Sequence, residues 1–202
     1  MAEAAASVIP AAWADPTAFV HPAAMVEPGA VIGAGTRVWA LSHVRAGAQI
    51  GAGCVIGTGV TVDTGVVIGD RCKVQNGALL FRGVRLGSGV FVGPGAVLTN
   101  DRRPRAVSPD GALLTTDGWT LDPIEVGDGA SIGANATVVA GARVGAWAMV
   151  GAGAVVTHDV LAHALVIGVP AHQAGWVCAC GEPAENSRGV VCEGCRRRFT
   201  AR

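Results

Sequence analysis

The sequence has no tyrosine, only four phenylalanines and no excess of charge of either sign, its 15 Lys and Arg being matched by 15 Asp and Glu. That balance argues against a whole-domain electrostatic footprint for nucleic acid and leaves only local basic clusters. Long hydrophobic runs are missing too, although half of the residues are hydrophobic and the mean hydropathy is positive. The uncharged stretch 46–62 is broken by five glycines and by Gln49, Thr58 and Thr61, and its apolar residues recur at a fixed interval. A membrane span has no such interval. The first residues carry Glu3 and lack both a basic start and an apolar block ahead of a cleavage site, so no signal peptide is expected and the cytoplasm is the expected location. With 202 residues, the chain has room for one main domain and a small appendage.

What is abundant is glycine, 30 residues, alongside ten prolines. That bias is unusual for a helical or sandwich domain and points to a repeat. In steps of six from Val20 the chain places Val26, Ile32, Val38, Val44, Ile50, Ile56, Val62, Ile68, Val74, Leu80, Leu86, Val92 and Leu98. After an interruption the step resumes at Val126 and continues through Ile132, Val138, Val144, Val150 and Val156, giving twenty aliphatic positions. Two residues before these positions, from Ala24 to Ala96, stand small or β-branched residues. Residues two apart on a strand face the same way, so each hexad supplies a large and a small inward side chain and then a Gly-rich or polar corner. An α-solenoid would need apolar spacing near 3.6, and the glycines oppose it. The expected fold class is therefore an all-β solenoid, a parallel β-helix with three hexads per triangular coil and between six and seven coils from its twenty hexads. Chain geometry alone favours right-handed crossovers between parallel strands.

Three parts are expected: a lead-in over 1–19, the β-helix over 20–176 with an inserted loop at 99–125, and a tail over 177–202. The insertion carries Asn100, Asp101, Arg102, Arg103, Pro104, Arg105, Pro109 and Pro123. A long polar break in so regular a repeat reads as a functional loop, the alternative being a disordered excursion. In the tail, Cys178 and Cys180 precede Cys192 and Cys195 by eleven residues, a spacing that suits tetrahedral zinc in a reducing compartment. Four ligands leave no open position, so the metal would be structural; a disulfide or an empty site is the alternative. Cys54 and Cys72 fall at inward small positions and are expected in the core.

The hexad pattern resembles the hexapeptide acyltransferase superfamily, and that resemblance implies left-handed coils in place of the right-handed default, acyl-CoA chemistry and a homotrimer. Within it, the order Gly93 and Pro94, then Leu98, Thr99, Asn100 and Asp101, then Pro104 and Arg105 is similar to the signature of sugar 3-N-acetyltransferases. Flanking runs agree: Trp39 to His43 between Val38 and Val44, Gly69 to Asn76, Gly133 to Thr137, and Gly168 with Val169, Pro170 and Ala171. The likeness spans roughly residues 20 to 176. It implies acetyl-CoA as cosubstrate, a nucleotide-linked amino sugar as acceptor, and sites between subunits, with neither membrane nor nucleic acid as partner.

N-acylation needs an oriented neutral amine beside a thioester, and the departing thiolate can take the amine's proton, so a strong base is dispensable. Where the strand leaves the coil, Asn100 and Asp101 are candidates to accept hydrogen bonds from the amine. Asn76, at the family's Gln-Asn position, bonds the sugar or amine or is simply a corner residue. His43, projecting outward before Val44, contacts a neighbouring subunit's substrate, serves as a base, or is a surface or interface histidine. The loop pair satisfying its own backbone is the plainer alternative. Arg82 stands where the family has Asp, a reversed charge that suits a phosphate or carboxylate; Arg102, Arg103 and Arg105 suit a diphosphate. CoA is expected along Ala134 and Ala152, with His158, Pro170 and His172 nearby; both histidines replace permanent cations of the family. Three rivals are a γ-class carbonic-anhydrase-like metalloenzyme using His158 and His163, a nucleic-acid or assembly protein using Arg196, Arg197, Arg198 and Arg202, and an O-acyltransferase dependent on His43.

Overall fold

A computed structural model describes residues 11–115, 118–184 and 190–199. All regular structure among them is strand, mostly in two-residue segments, the length one flat side of a six-residue step allows. No helix among them is long and apolar enough to cross a membrane.

The strands form three parallel sheets, one per side of a triangular left-handed β-helix. The first sheet runs from Trp13–Ala14 through Val31–Ile32 and Gln49–Ile50 to Arg143–Val144; the third runs from Met25–Val26 through His43–Val44 and Val97–Leu98 to Val155–Val156. The second starts at Phe19–Val20 and contains Lys73–Val74, Phe91–Val92 and Met149–Val150. Through most of the coils each strand pairs with the residue 18 positions on, Val31 with Gln49 and Gln49 with Val67; across the insertion the step is 40, Val97 with Thr137, and at the last coil 16, Met149 with Leu165, so equivalent positions of successive coils stack. The second residue of each central strand is buried, and Ile32, Ile56, Ile68, Leu80, Leu98 and Ile132 are wholly buried.

The small inward positions include two hydroxyls, and both are satisfied. Thr36 Oγ1 donates to the Gly51 carbonyl (2.7 Å) and accepts from the Cys54 amide (2.9 Å), while Ser42 Oγ donates to the Gly57 carbonyl (2.7 Å). Cys54 and Cys72 are buried free thiols in the same small positions, as expected of core residues. Gly133 marks how close the coils approach: a Cβ there would lie 2.5 Å from the Ala152 nitrogen.

The solenoid is longer than the counted hexads. Trp13–Ala14 forms a first strand inside the segment expected as lead-in, because Ala14 continues the step of six back from Val20, exposed at the open end of the coil. Beyond Val156, Ala164–Ile167 adds a parallel strand beside Met149–Val150, giving the second sheet eight parallel strands and exceeding the six to seven coils expected. The step of six misses this last strand because Val166 follows Val156 by ten. His172–Val177 and Pro183–Ala184 then extend the sheet antiparallel, so the tail grows out of the β-helix. Val190–Val191 pairs with Arg198–Phe199 as a separate antiparallel ribbon.

Candidate active site

The insertion leaves the third sheet at the end of Val97–Leu98. Thr99 fixes the exit: its Oγ1 accepts from the Ala140 amide (2.8 Å) and donates to the Val138 carbonyl (3.2 Å). The neck closes where the Asp122 amide donates to the Asn100 carbonyl (3.1 Å). Between these points Val107 bridges antiparallel to Leu113. Arg102 Nη2 donates to the Thr157 carbonyl (3.1 Å), two coils onward, and Leu121 rests beside Gly83 of the preceding coil. The loop is thus strapped along the corner that follows the third sheet.

Two adjoining hollows form in it. One, of about 520 Å³, is lined by Arg102, Arg103, Arg105, Trp119 and Asp122. The other, of about 430 Å³, is lined by Asn100 and Pro104, and Asp101, Arg105, Leu114 and Trp119 are walls of both. Asp101 Oδ1 also accepts from the Arg103 amide (2.7 Å), the local turn that such a residue ordinarily makes. Trp119 was not legible as a site residue, since it lies off the repeat; its only signal is that the insertion holds no other aromatic.

Asn76 lies at the corner between the second and third sheets. Its Oδ1 accepts from the Thr58 amide of the preceding coil (3.0 Å), as Asp70 does from Ala52 (2.8 Å) and Asp128 from Ser88 (2.7 Å). The oxygen is thereby occupied in stapling coils, which leaves the amide NH2 as the group Asn76 can offer a ligand. The same corner continues through Pro94, Ala134 and Ala152: the Asn76, Pro94 and Ala134 carbonyls accept from Gly95, Asn135 and Gly153. Exposed Pro170, after a cis Val169–Pro170 bond, follows at that end. Asn76 and the expected CoA-contacting alanines therefore share one edge of the third sheet, and Asn100 and Asp101 lie at its other edge.

His43 faces outward from the third sheet, half-buried, with Nε2 2.6 Å from Glu27 Oε1. Glu27 Oε2 accepts from the Ala46 amide (2.9 Å); this bond first and the His43 bond second hold its carboxyl below the ordinary carboxylate range. Arg45 lies 3.6 Å from Glu27 and 2.7 Å from Asp63, whose second oxygen accepts from the Arg82 amide (3.1 Å). His43 is separated from Val97–Leu98 by two intervening strands, roughly 14 Å at normal strand spacing, so one chain does not bring His43 and Asn100 together. Arg82 is exposed at the corner beside Gly83, near the strap formed by Leu121. His158, exposed, holds Nδ1 2.8 Å from Thr157 Oγ1 on the loop side, whereas His172 opens the antiparallel extension.

In the tail, the sulfurs of Cys178, Cys180, Cys192 and Cys195 lie within 4.8 Å of one another, with Cys178 3.6 Å from Cys195 and Cys180 3.4 Å from Cys192. A tetrahedral thiolate site with Zn–S bonds of ~2.3 Å has sulfur–sulfur edges of about 3.8 Å, so the set fits a metal ion. The Cys195 amide pulls the Cys192 thiol down to about 7, while hydrogen bonding to Cys192 and burial push Cys180 up to about 12. Among the described residues no second such group of His, Cys, Asp and Glu exists, and His163, paired with the Val177 carbonyl (2.9 Å), does not join His158 in one. Arg202 lies outside the described residues.

The bacterial transferase hexapeptide (six repeats) model matches residues 29–64, 47–82 and 123–158. The chain matches no curated relative. Among solved structures it is similar to the acetyltransferase domain of PglB from Neisseria gonorrhoeae in complex with acetyl coenzyme A, at 25% identity and a TM-score of 0.52, over 78% of this chain and 57% of that one. PerB from Caulobacter crescentus, in complex with CoA and GDP-perosamine, is 26% identical with a TM-score of 0.42, over 82% of this chain and 58% of that one. The chain thus spans under three-fifths of the length of either. With its hexads in the matched repeats and its three parallel sheets, the chain is a left-handed β-helix of hexapeptide repeats, carrying a four-cysteine appendage.

Proposed function

We propose that the chain transfers an acetyl group from acetyl-CoA to the amino group of a nucleotide-linked amino sugar. The observation that carries this is the strapped insertion, which sets Asn100 and Asp101 at the wall of a hollow that adjoins an arginine-lined one. The likeness to an acetyltransferase domain with bound acetyl coenzyme A supports the donor. CoA lies along the corner of Pro94, Ala134 and Ala152, where small residues admit its pantetheine arm, with Pro170 and His172 toward its nucleotide end; His158, on the loop side, is across the third sheet from that corner.

In the reaction the Asn100 and Asp101 oxygens orient the amine, and its nitrogen attacks the thioester carbon. The carbon–sulfur bond breaks, and the CoA thiolate takes the proton that the nitrogen loses. Positioning supplies the rate enhancement. The chain acts as a homotrimer, which carries His43 and Asn76 of one subunit toward the loop of the next. Zinc is held by Cys178, Cys180, Cys192 and Cys195; with four protein ligands it stabilises the tail and takes no part in the transfer.

The test is mass spectrometry of products formed from acetyl-CoA and a panel of nucleotide-linked amino sugars. A gain of one acetyl group on an amine is expected; no gain on any amine would overturn the reading. One observation favours a second reading. The short His43–Glu27 bond is the arrangement of an oriented base, as transfer to a hydroxyl requires. Under that reading His43→Ala abolishes turnover; under amine attack it costs only a modest fraction.

A further inference from the structure

The larger loop hollow has a chemistry more specific than that of a general sugar site. Three guanidiniums surround it, yet among the described residues none of Arg102, Arg103 and Arg105 forms an ion pair. Arg102 donates to a main-chain carbonyl, and Arg105 Nη1 donates only to the carbonyl of adjacent Pro104 (3.0 Å). Arginines without carboxylate partners around a concavity are prepared for an anion, and their planar forks suit phosphate oxygens. Beside them stands half-buried Trp119, with Leu114, a flat apolar wall of the kind on which a nucleobase stacks. Asp122 lines the same hollow, and a carboxylate there accepts hydrogen bonds from a vicinal diol. At about 520 Å³ the hollow is within the roughly 300–1,000 Å³ of small-molecule sites.

An anion, a flat ring and a diol in one ligand describe a nucleoside diphosphate. We infer that this hollow binds the nucleoside diphosphate of the acceptor, with the base on Trp119, the ribose toward Asp122 and the diphosphate on Arg103 and Arg105. The inference rests on the acetyltransferase reading for its direction: Arg105 and Trp119 are walls of both hollows, so a sugar joined to that diphosphate extends into the hollow of Asn100 and Asp101. Trp119 thereby becomes the residue that sets nucleotide affinity, acting at a distance from the transferred group.

CoA carries a nucleoside diphosphate too, so the test separates the two sources. Calorimetric titration of the full chain with UDP, dTDP, GDP, CoA, uridine and inorganic pyrophosphate is compared for the wild type, Trp119→Ala, Trp119→Phe and Arg103→Gln/Arg105→Gln. At least one free nucleoside diphosphate is expected to bind more tightly than pyrophosphate and than uridine. Trp119→Ala should weaken that binding about tenfold or more, Trp119→Phe should restore most of it, and neither should change the affinity for pyrophosphate or CoA. The double arginine variant should lose nucleotide and pyrophosphate alike and retain CoA.

Nucleotide binding that is indifferent to Trp119, or a Trp119→Ala variant that loses CoA in place of the nucleoside diphosphate, overturns the inference. Acetyl transfer to an amino sugar with no Trp119 dependence in KM overturns the inference and leaves the enzymatic reading intact. Trp119-dependent nucleotide binding with no acetylation of any amine does the reverse.

Discussion

The stacked coils and the insertion at 99–125 differ in what fixes each residue. In the coils, the second residue of each central strand is buried against its equivalents in the neighbouring coils, and the corners approach backbone to backbone. In the insertion the residues are mostly exposed, and a few bonds hold the whole loop: Thr99 to Ala140 and Val138, Asn100 to Asp122, and Arg102 to Thr157. The coils therefore carry stability, and under the proposed function the loop carries recognition. Substitutions can break that division or sharpen it.

The largest effect is expected in the coils. Gly133→Val drives side-chain atoms into the backbone of the next coil, where even a Cβ would be 2.5 Å from Ala152. A loss of about 4 kcal/mol or more is expected, read as a collapse of Tm or as insoluble protein. Gly111→Ala, in the insertion, meets no atom within 4 Å and carries only the strain of φ 86°, about 1–2 kcal/mol. Equal losses at the two sites would erase the contrast.

Next is the tail. Metal removal by a chelator, or Cys178→Ser with Cys195→Ser, is expected to release one zinc per chain and melt the ribbon, with Tm of the β-helix moved by only a few degrees. Elemental analysis and hydrogen exchange read the two effects separately. Loss of the whole fold on chelation would mean that the tail also supports the coils.

In the loop, Asn100→Ala should lower kcat/KM about 100-fold, some 2.7 kcal/mol of transition-state stabilisation, with Tm unchanged. A drop in Tm without loss of turnover would make Asn100 a structural residue. The smallest effect is at Glu27. Its carboxyl is held below the ordinary value of 4.5 by Ala46 and then His43, so near and below 4.5 the unfolded chain binds more protons than the folded one. The stabilisation is therefore complete above that range and fades as pH falls through the lower folded value. Calorimetry from pH 7 to pH 3 should show the gap between wild type and Glu27→Gln closing on the acid side.

The coils were legible because a buried position recurs at a constant step. Val20 through Leu98 and Val126 through Val156 mark the inward face without any knowledge of pairing. The tail cysteines were legible for a related reason: metal-ligand spacing is short-range, and the four sulfurs do gather. The site residues were legible only as types. Asn76 looked like a substrate contact, yet its oxygen staples Thr58, because corner positions of neighbouring coils are 18 residues apart in sequence and adjacent in space. His43 read as a base or a contact to a neighbouring subunit's substrate; that Glu27, one coil earlier, is its partner was not legible. Trp119 could not be placed at all, because a loop has no period to place it by.

By itself, then, the sequence determined the solenoid, the point where the repeat breaks and the thiol set, since each depends on regular or local spacing. Only the tertiary structure decided which side of the triangle the break opens on, that Asn76, Ala134 and Ala152 share one edge with Asn100 across the sheet from them, and that three arginines and Trp119 close around one hollow. Those facts follow from the phase of the coil and from a loop folded back on itself by Arg102 and Leu121, contacts between residues distant in sequence that no repeat encodes.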